Sequence, residues 1–597
     1  MRWPPFKDTT PLLLLTALAL VWFANIGQRT LTEPDEGRYA EIPREMLASG
    51  HWGAPHLDGI QYLEKPPLQY WATAGLYTVF GVHGWVSRLW TTALGFGCGR
   101  RGGFAGLRMY GRNAGLDAAL VLASTPLFFG VGHINTLDMG LTFFLTAGLV
   151  AFLLSERAAR RARGLVWLSV AWLAFSLAML QKGLVAVVIP GFALVLYTLC
   201  ARDLGIWRRV GLPAGLALVL AINLPWWLYM QSVNRDFLQF FFVHEHFARF
   251  ATTEHQRQQP WWYLTGVLLA GILPWLEPIG RGVVAGIRGG ATPGHNAAPQ
   301  DSAGRDPARG TARAFRPELF LVVWAAAVFL FYSPSSSKLA PYILPMLPPL
   351  ALLAGRSVRA LRSPLWLAAV LALAMFIARP LAAQWMAPGL KRDSYLAVGV
   401  WVECAGAVLA IAVAIAVGFI RQRAARAAST AGGSVKSASA SASASASAAA
   451  APAAASAALA ALSLGLVTSF ALLTSGTNAL ERWRGGPYLA ASVAPWLDAA
   501  TPLYCVGLYP QTLTFALERT CTVVGYYGEL EIQFDRPGRH YIPEYEQFLA
   551  EWAAAPRAVA VVEPTAWAAL QAHGIPATIV AREPTAYVII RSRADSP

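Results

Sequence analysis

The sequence predicts a mainly α, polytopic membrane protein that carries a small α/β domain at its C-terminal end. Three observations lead there. Of the 597 residues, 55% are hydrophobic and only 14% charged, where a soluble protein carries roughly 25% charged residues. The apolar residues fall in runs close to the ~20 that a helix needs to cross a bilayer. After residue 476 the pattern changes to short β-rich runs (LYCVGL, TCTVVGY, AVAVV, ATIVA, AYVII) alternating with helical ones, which reads as a small α/β unit.

Apolar runs are centred near residues 19, 75, 95, 123, 146, 172, 191, 220, 270, 324, 348, 372, 408 and 463. The first is expected to remain as a span, because the GQRTL after it has no small-x-small cleavage site and many spans follow. Arg-rich loops lie at 155–164, 200–209, 281–316, 356–362 and 421–426, two apolar runs apart each time. That is the positive-inside pattern of cytoplasmic loops, and counting back puts 99–112 on the same side. The basic MRWPPFK start also prefers the inside, which requires one early run not to cross. The short PPLQYWATAGLYTVFG (66–81), with Tyr70, Trp71 and Tyr77, is expected to lie along the interface, where such aromatics collect. About thirteen spans of bilayer length remain, in a membrane domain covering 1–476. The first loop, 28–85, then shares the periplasmic side with the α/β domain, 477–597.

Two local features fit less easily. Arg100 and Arg101 near the middle of a span would cost roughly 5–7 kcal/mol to insert, so that helix is expected to end early or to be locally altered. Residues 427–451 are an Ala/Ser-rich low-complexity stretch, expected to be a flexible cytoplasmic linker.

The net charge of +15 sits in short loops between spans, so it marks orientation and excludes a nucleic-acid partner. The five cysteines have no metal-binding spacing. Cys98, Cys200 and Cys404 belong to apolar runs. Cys505 and Cys521 are open to two readings, a disulfide in an oxidising compartment or a pair of buried thiols.

If the topology holds, polar groups from separate loops gather at one level. EPDEGRYAE (33–41) and YLEKPP (62–67) come from the first loop, HINTLD (133–138) and QKG (181–183) from span ends, VHEHFARF (243–250) and SPSSSKLAPYILP (333–345) from later loops. Ionisable groups at membrane depth are expensive and mark functional sites. Each also has a structural reading. Asp35, Glu36 and Asp138 suit helix N-termini, Lys65 can snorkel to headgroups, and Arg249 suits a membrane boundary. A divalent metal would have to use Glu64 and His244, which lack a third ligand at metal spacing.

EPDEGRYAEIPREML, YLEKPPLQYW, the Leu137–Asp138 pair, QKG, EHFARF, SSSKLAPYILP and VVGYYGELEI resemble the lipid A aminoarabinose transferases, a family within the protein-O-mannosyltransferase-like group of GT-C fold. The resemblance implies thirteen helices with a periplasmic α/β domain in the bacterial inner membrane. It also implies transfer of a sugar, 4-amino-4-deoxy-L-arabinose in this family, from an undecaprenyl-phosphate donor to a lipid A phosphate. By motif, Asp35 matches the family's first-loop aspartate, Lys65 and Arg249 match the residues that hold the carrier phosphate, and Asp138, Lys182, Tyr39, Tyr62, His244 and Tyr342 match residues lining the substrate cavity, with Glu529 in the family motif of the C-terminal domain. An oxocarbenium-like sugar favours a nearby carboxylate, which makes Asp35 and Asp138 the candidate catalytic acids, and Glu36 and Glu529 are expected to join the cavity. No cofactor is required, since a lipid-linked donor brings no nucleotide. Two alternatives stay open: a protein or another glycan as acceptor, and a transporter or flippase, which would need discontinuous spans with ionisable groups near mid-membrane.

Overall fold

The computed structural model describes residues 10–248, 258–289, 315–386, 389–432, 440–484, 486–526 and 540–592. Among these, six helices are long and apolar enough to cross a membrane, or up to eight when two bent helix pairs are each taken as one span. Four shorter apolar helices stand at Leu12–Ala24, Val185–Ala201, Pro317–Tyr332 and Ala340–Ala354. The protein is therefore a multi-pass membrane protein, and its apolar helices fall where the hydrophobic runs predict them.

The chain opens with α1 (Thr10–Ala24), α2 (Asp35–Ser49) and α3 (Leu68–Phe80), with the short strands β1 (His56–Leu57) and β2 (Ile60–Gln61) between the last two. At 13 residues α3 is about 20 Å long, less than the hydrocarbon thickness, and it buries Tyr70, Ala74 and Tyr77. Next comes α4 (Gly84–Tyr110), followed by α5 (Arg112–Ala123), α6 (Pro126–Gly132), α7 (Leu137–Glu156) and α8 (Arg161–Lys182).

The two awkward features resolve against expectation. The arginines do not end α4, which continues unbroken to Tyr110. Arg101 lays its guanidinium over the Phe143 ring, 4.7 Å from the centroid, and this cation–π contact offsets part of the insertion cost. The Ala/Ser stretch is not a loop on either flank. One helix runs Leu390–Gly432 and the next Ala440–Gly476, because alanine is the best helix former; residues 433–439 between them lie outside the described residues.

The C-terminal sheet has strand order β5-β4-β3-β6-β8-β7, built from β3 (Leu503–Val506), β4 (Thr522–Val524), β5 (Tyr541–Ile542), β6 (Arg557–Val562), β7 (Thr578–Arg582) and β8 (Tyr587–Ser592). The first four in that order are parallel, and β6, β8 and β7 pair antiparallel. Both faces of β3 are buried. Tyr504, Val506, Val524, Ala560 and Val562 pack against the sheet's own helices through Phe548, Trp552 and Trp567. Leu503, Cys505, Val523, Val559 and Val561 instead form one core with Tyr39, Ile42, Met46, Tyr62 and Tyr70 of the first loop. The period-two alternation of the strands thus gives one face to the domain and the other to the first loop.

Polar contacts fix this junction. The Glu33 carboxylate accepts the backbone N–H groups of Gln511 (3.2 Å) and Thr512 (2.7 Å) at the start of the Gln511–Leu517 helix, and the Thr512 hydroxyl. Gly37 of α2 lies so close to that helix that a Cβ would sit 2.7 Å from the Thr512 nitrogen. Asp58 accepts the Cys521 N–H at 2.8 Å. Cys505 and Cys521 are buried free thiols. The first loop and the C-terminal sheet are thus in direct contact, as two segments expected on one side of the membrane can be.

Candidate active site

Two acids fall in the first turn of α2, Asp35 and Glu36, where the helix dipole favours negative charge. Their surroundings part them completely. Glu36 is fully buried. It accepts from Arg29 at 2.6 and 2.9 Å, from Arg88 of α4 at 2.7 and 2.9 Å, from the Thr32 amide and hydroxyl at 3.0 Å each, and from the Asn135 N–H at 3.0 Å. Burial pushes this carboxyl up, but the Arg88 and Arg29 guanidiniums outweigh it and hold the group far below the usual carboxylate range. Every lone pair is taken. This corrects the placing of Glu36 in the substrate cavity: it is the knot that ties α2 to α4 and to the turn before α7.

Asp35 points the other way. Its side chain is 44% exposed, with one ion pair to Arg38 at 3.5 Å. Arg38 is buried and donates to the Tyr62 hydroxyl at 3.3 Å. Tyr62 donates in turn to Glu64 at 3.0 Å, and the Lys65 ammonium stands 3.6 Å from that carboxylate. A run of alternating charge, Asp35–Arg38–Tyr62–Glu64–Lys65, therefore lines one wall. Tyr39 stacks on Tyr70 with centroids 6.2 Å apart, and Tyr62 meets Tyr70 edge-on at 6.5 Å. Burial raises the phenols of Tyr39 and Tyr62 above the ordinary tyrosine value, with nearby carboxylates adding to it, so both remain protonated donors.

A second wall is built by α7 and α8. Asp138, in the first turn of α7, pairs with Lys182 at the end of α8. The Lys182 ammonium lies 5.4 Å from the centroid of the Tyr342 ring, which packs on Tyr332 at 4.8 Å. The two walls meet at Tyr39, whose hydroxyl feels the charges of Arg38, Asp35, Glu64 and Asp138 together. A buried amide ladder sets their spacing. Gln69 of α3 donates to Asn135 at 2.9 Å and accepts from Gln181 of α8 at 2.8 Å, while Asn135 donates to Glu36. Gly140 makes room for it, since a Cβ there would fall 2.3 Å from the Gln181 amide.

The structure thus brings Asp35, Tyr39, Tyr62, Glu64, Lys65, Asp138, Lys182 and Tyr342 together. His244 lies in a π-helical stretch, Gln239–Ala248, with its ring parallel to Phe240 at 5.2 Å. Arg249 and Glu529 lie outside the described residues. No set of three or more His, Cys, Asp or Glu side chains that could hold a metal forms among the described residues. Sequence reasoning missed Arg38 and the Gln69–Asn135–Gln181 ladder. The signal for Arg38 was its i+3 spacing from Asp35; for the glutamines it was an amide inside an apolar run.

With the geometry in hand, comparison with known proteins is direct. Residues 9–244 match the dolichyl-phosphate-mannose-protein mannosyltransferase family, and 489–591 match the aminoarabinose transferase C-terminal domain. The crystal structure of ArnT from Cupriavidus metallidurans in the apo state superposes with a TM-score of 0.83 at 30% identity, covering 99% of each chain. The chain belongs to the aminoarabinose transferase family. It has the GT-C fold of that family. The same ArnT bound to undecaprenyl phosphate also superposes at 0.83, with 99% of this chain and 100% of that one covered. An undecaprenyl phosphate-alpha-4-amino-4-deoxy-L-arabinose arabinosyl transferase 1 from Sodalis glossinidius is 36% identical over 345 residues, 57% of each chain. Its counterpart in Serratia proteamaculans is 32% identical over 60% of this chain and 61% of that one. The chain thus spans about 57–61% of the length of these curated relatives.

Proposed function

We propose that the protein is a glycosyltransferase that moves 4-amino-4-deoxy-L-arabinose from undecaprenyl phosphate to a lipid A phosphate. One observation carries this: the fold matches, over nearly its whole length, an ArnT that binds undecaprenyl phosphate. The charged wall from Asp35 to Lys65, facing the Asp138–Lys182 pair, supplies the chemistry. We place the reaction on the periplasmic side of the bacterial inner membrane. There the membrane unit (1–476) presents its first loop and the unit 477–597 covers it.

In the transfer, an acceptor phosphate oxygen bonds to the anomeric carbon as the bond from that carbon to the carrier phosphate breaks. The electron pair leaves with undecaprenyl phosphate. Lys65 and Arg249 offset the charge gathering on that leaving phosphate, a term that is typically large in catalysis. Asp35 faces the oxocarbenium-like sugar, and Asp138, held by Lys182, does so from the other wall. Because the acceptor is already anionic, Asp35 orients the sugar and acceptor rather than removing a proton. The protonated phenols of Tyr39 and Tyr62 donate to sugar oxygens. The donor carries no nucleotide, so the reaction as proposed requires no cofactor; Glu64 and His244 are the residues that would hold a divalent metal.

A protein acceptor is the second reading, favoured by the match of 9–244 to protein mannosyltransferases; the match of 489–591 to an aminoarabinose transferase domain speaks for lipid A. A transporter is disfavoured because the breaks in the two bent helix pairs, Ser124–Thr125 and Ile272–Trp275, hold no ionisable side chain. Mass spectrometry of lipid A from cells with and without the protein tests the reading. Aminoarabinose on a lipid A phosphate should appear only with it. An unchanged pattern, in cells that make the carrier-linked amino sugar, would overturn it.

A further inference from the structure

Among the described residues, the cations in and beside the two walls are matched by carboxylates: Arg29 and Arg88 by Glu36, Arg38 by Asp35, Lys65 by Glu64 and Lys182 by Asp138. Lys338 is not. It sits in the SPSSSKL loop that leads into the 3-10 turn Ala340–Met346, and it is only 5% exposed. Its ammonium donates to the Gln259 carbonyl at 3.3 Å, and the neighbouring Ser337 pairs antiparallel with Gln258. Among the described residues no carboxylate stands within ion-pairing distance of it. An ammonium has three donors, and a single carbonyl is a poor counterpart for a cation withdrawn from water.

Its position points to a use. Tyr342 is four residues further on and covers Lys182. On the other side, the segment that supplies Gln259 goes straight into Trp261 and Trp262, 83% and 56% exposed. Bare indoles of this kind settle at the membrane interface. A buried cation four residues before Tyr342 and bonded to the segment that leads into two bare indoles matches one ligand chemistry, a phosphate monoester carried by an acylated lipid. The reaction also requires such a group. Carrier and acceptor phosphates must approach the same carbon, and like charges brought together out of water repel strongly. Lys65 and Arg249 serve the carrier, so the acceptor needs a cation of its own.

We propose that Lys338 binds the acceptor phosphate, with Trp261 and Trp262 as the edge over which the acceptor lipid enters. The assignment rests on the transferase reading above and locates its second substrate. The test uses the full-length protein in detergent, undecaprenyl-phosphate-linked aminoarabinose as donor and bis-phosphorylated lipid A as acceptor, each titrated separately. Lys338→Gln should raise KM for lipid A about tenfold or more, the loss of one hydrogen bond to a charged group, and leave KM for the donor unchanged. Lys338→Arg should restore most of the affinity. In a second measurement without turnover, lipid A should raise the melting temperature of the wild type, dephosphorylated lipid A should not, and Lys338→Gln should lose the effect. A rise in donor KM instead would reassign Lys338 to the carrier and overturn the proposal. So would unchanged constants, or a drop in stability that Lys338→Arg fails to repair. Should the wild type transfer no sugar to lipid A, the transferase reading fails, while the phosphate-dependent melting shift still decides the role of Lys338.

Discussion

Replacing Glu36 by glutamine separates two roles for an acid in the first turn of α2. Glutamine keeps the shape of the side chain but has one acceptor oxygen, and its amide N–H₂ would face a guanidinium. The four bonds from Arg29 and Arg88, at 2.6–2.9 Å, cannot all be kept. Those arginine side chains are 7% and 1% exposed, so both would lose their anion out of reach of water. Breaking a buried pair from one side costs about 3–5 kcal/mol, against a total stability of about 5–15 kcal/mol for a typical fold. Glu36→Gln should therefore lower the melting temperature in detergent sharply at neutral pH, as followed by tryptophan fluorescence. The pH dependence has a definite sign. The folded-state carboxyl is held far below its ordinary value, so its contribution is complete above the unfolded value of about 4.5 and is lost only as pH falls towards the depressed one. The deficit of the variant should thus be constant from about pH 6 to 8 and shrink only in strong acid. A variant as stable as the wild type, with a raised KM for the donor, would refute the knot and return Glu36 to the substrate cavity.

Asp35→Asn should do the reverse. Its half-exposed carboxylate has only a 3.5 Å ion pair, so stability should hold within about 1 kcal/mol while kcat for sugar transfer falls, on the order of a hundredfold for a displaced electrostatic group; full retained activity would remove it from the mechanism. Gly37→Ala gains up to about 1 kcal/mol of helix propensity but places a Cβ 2.7 Å from the Thr512 nitrogen, and overpacking against backbone costs about 1–3 kcal/mol. Limited proteolysis should accordingly release the C-terminal domain more readily, and unchanged protection would show that the junction yields. At that same junction Glu45 is buried, and its carboxyl is pushed up to about 7 by burial and by the Glu41 charge, against hydrogen bonds from the Gly59 and Asp58 amides and the attraction of Arg44. Burial raises Asp58 as well. For acids raised in this way the stabilisation is full below the unfolded value and fades as pH climbs through the folded one, so docking of the domain should weaken between about pH 5 and 8. Proteolysis rates measured across that range should rise with pH and flatten in Glu45→Gln; a flat wild-type profile would contradict the reasoning.

Much of the architecture could be read from residue order alone, because bilayer crossing and strand pleating are one-dimensional constraints. Apolar run length located the helices. Short apolar β-rich runs such as LYCV and AVAVV announced strands, and the structure buries them on both faces. Motif likeness drew the site residues from distant loops, and the Asp35-to-Lys65 wall with the Asp138–Lys182 pair shows that most of them do converge. What failed was what depends on neighbours. Nothing in the tetrapeptide Pro-Asp-Glu-Gly tells which carboxylate meets Arg29 and Arg88 and which stays half-exposed; a helix turns 100° per residue, and the packing of α2 on α4 made the choice. Arg101 stays within α4 with its guanidinium over the Phe143 ring of α7, a contact between residues 42 positions apart that the sequence does not announce. Gln69 and Gln181 are 112 positions apart, and only the fold makes one amide the partner of the other. By itself the chain determined where it is greasy, where it is charged and where it must turn. The tertiary structure decided which charges neutralise one another in the interior and which are left facing a ligand, since that balance depends on distance and on exclusion of water.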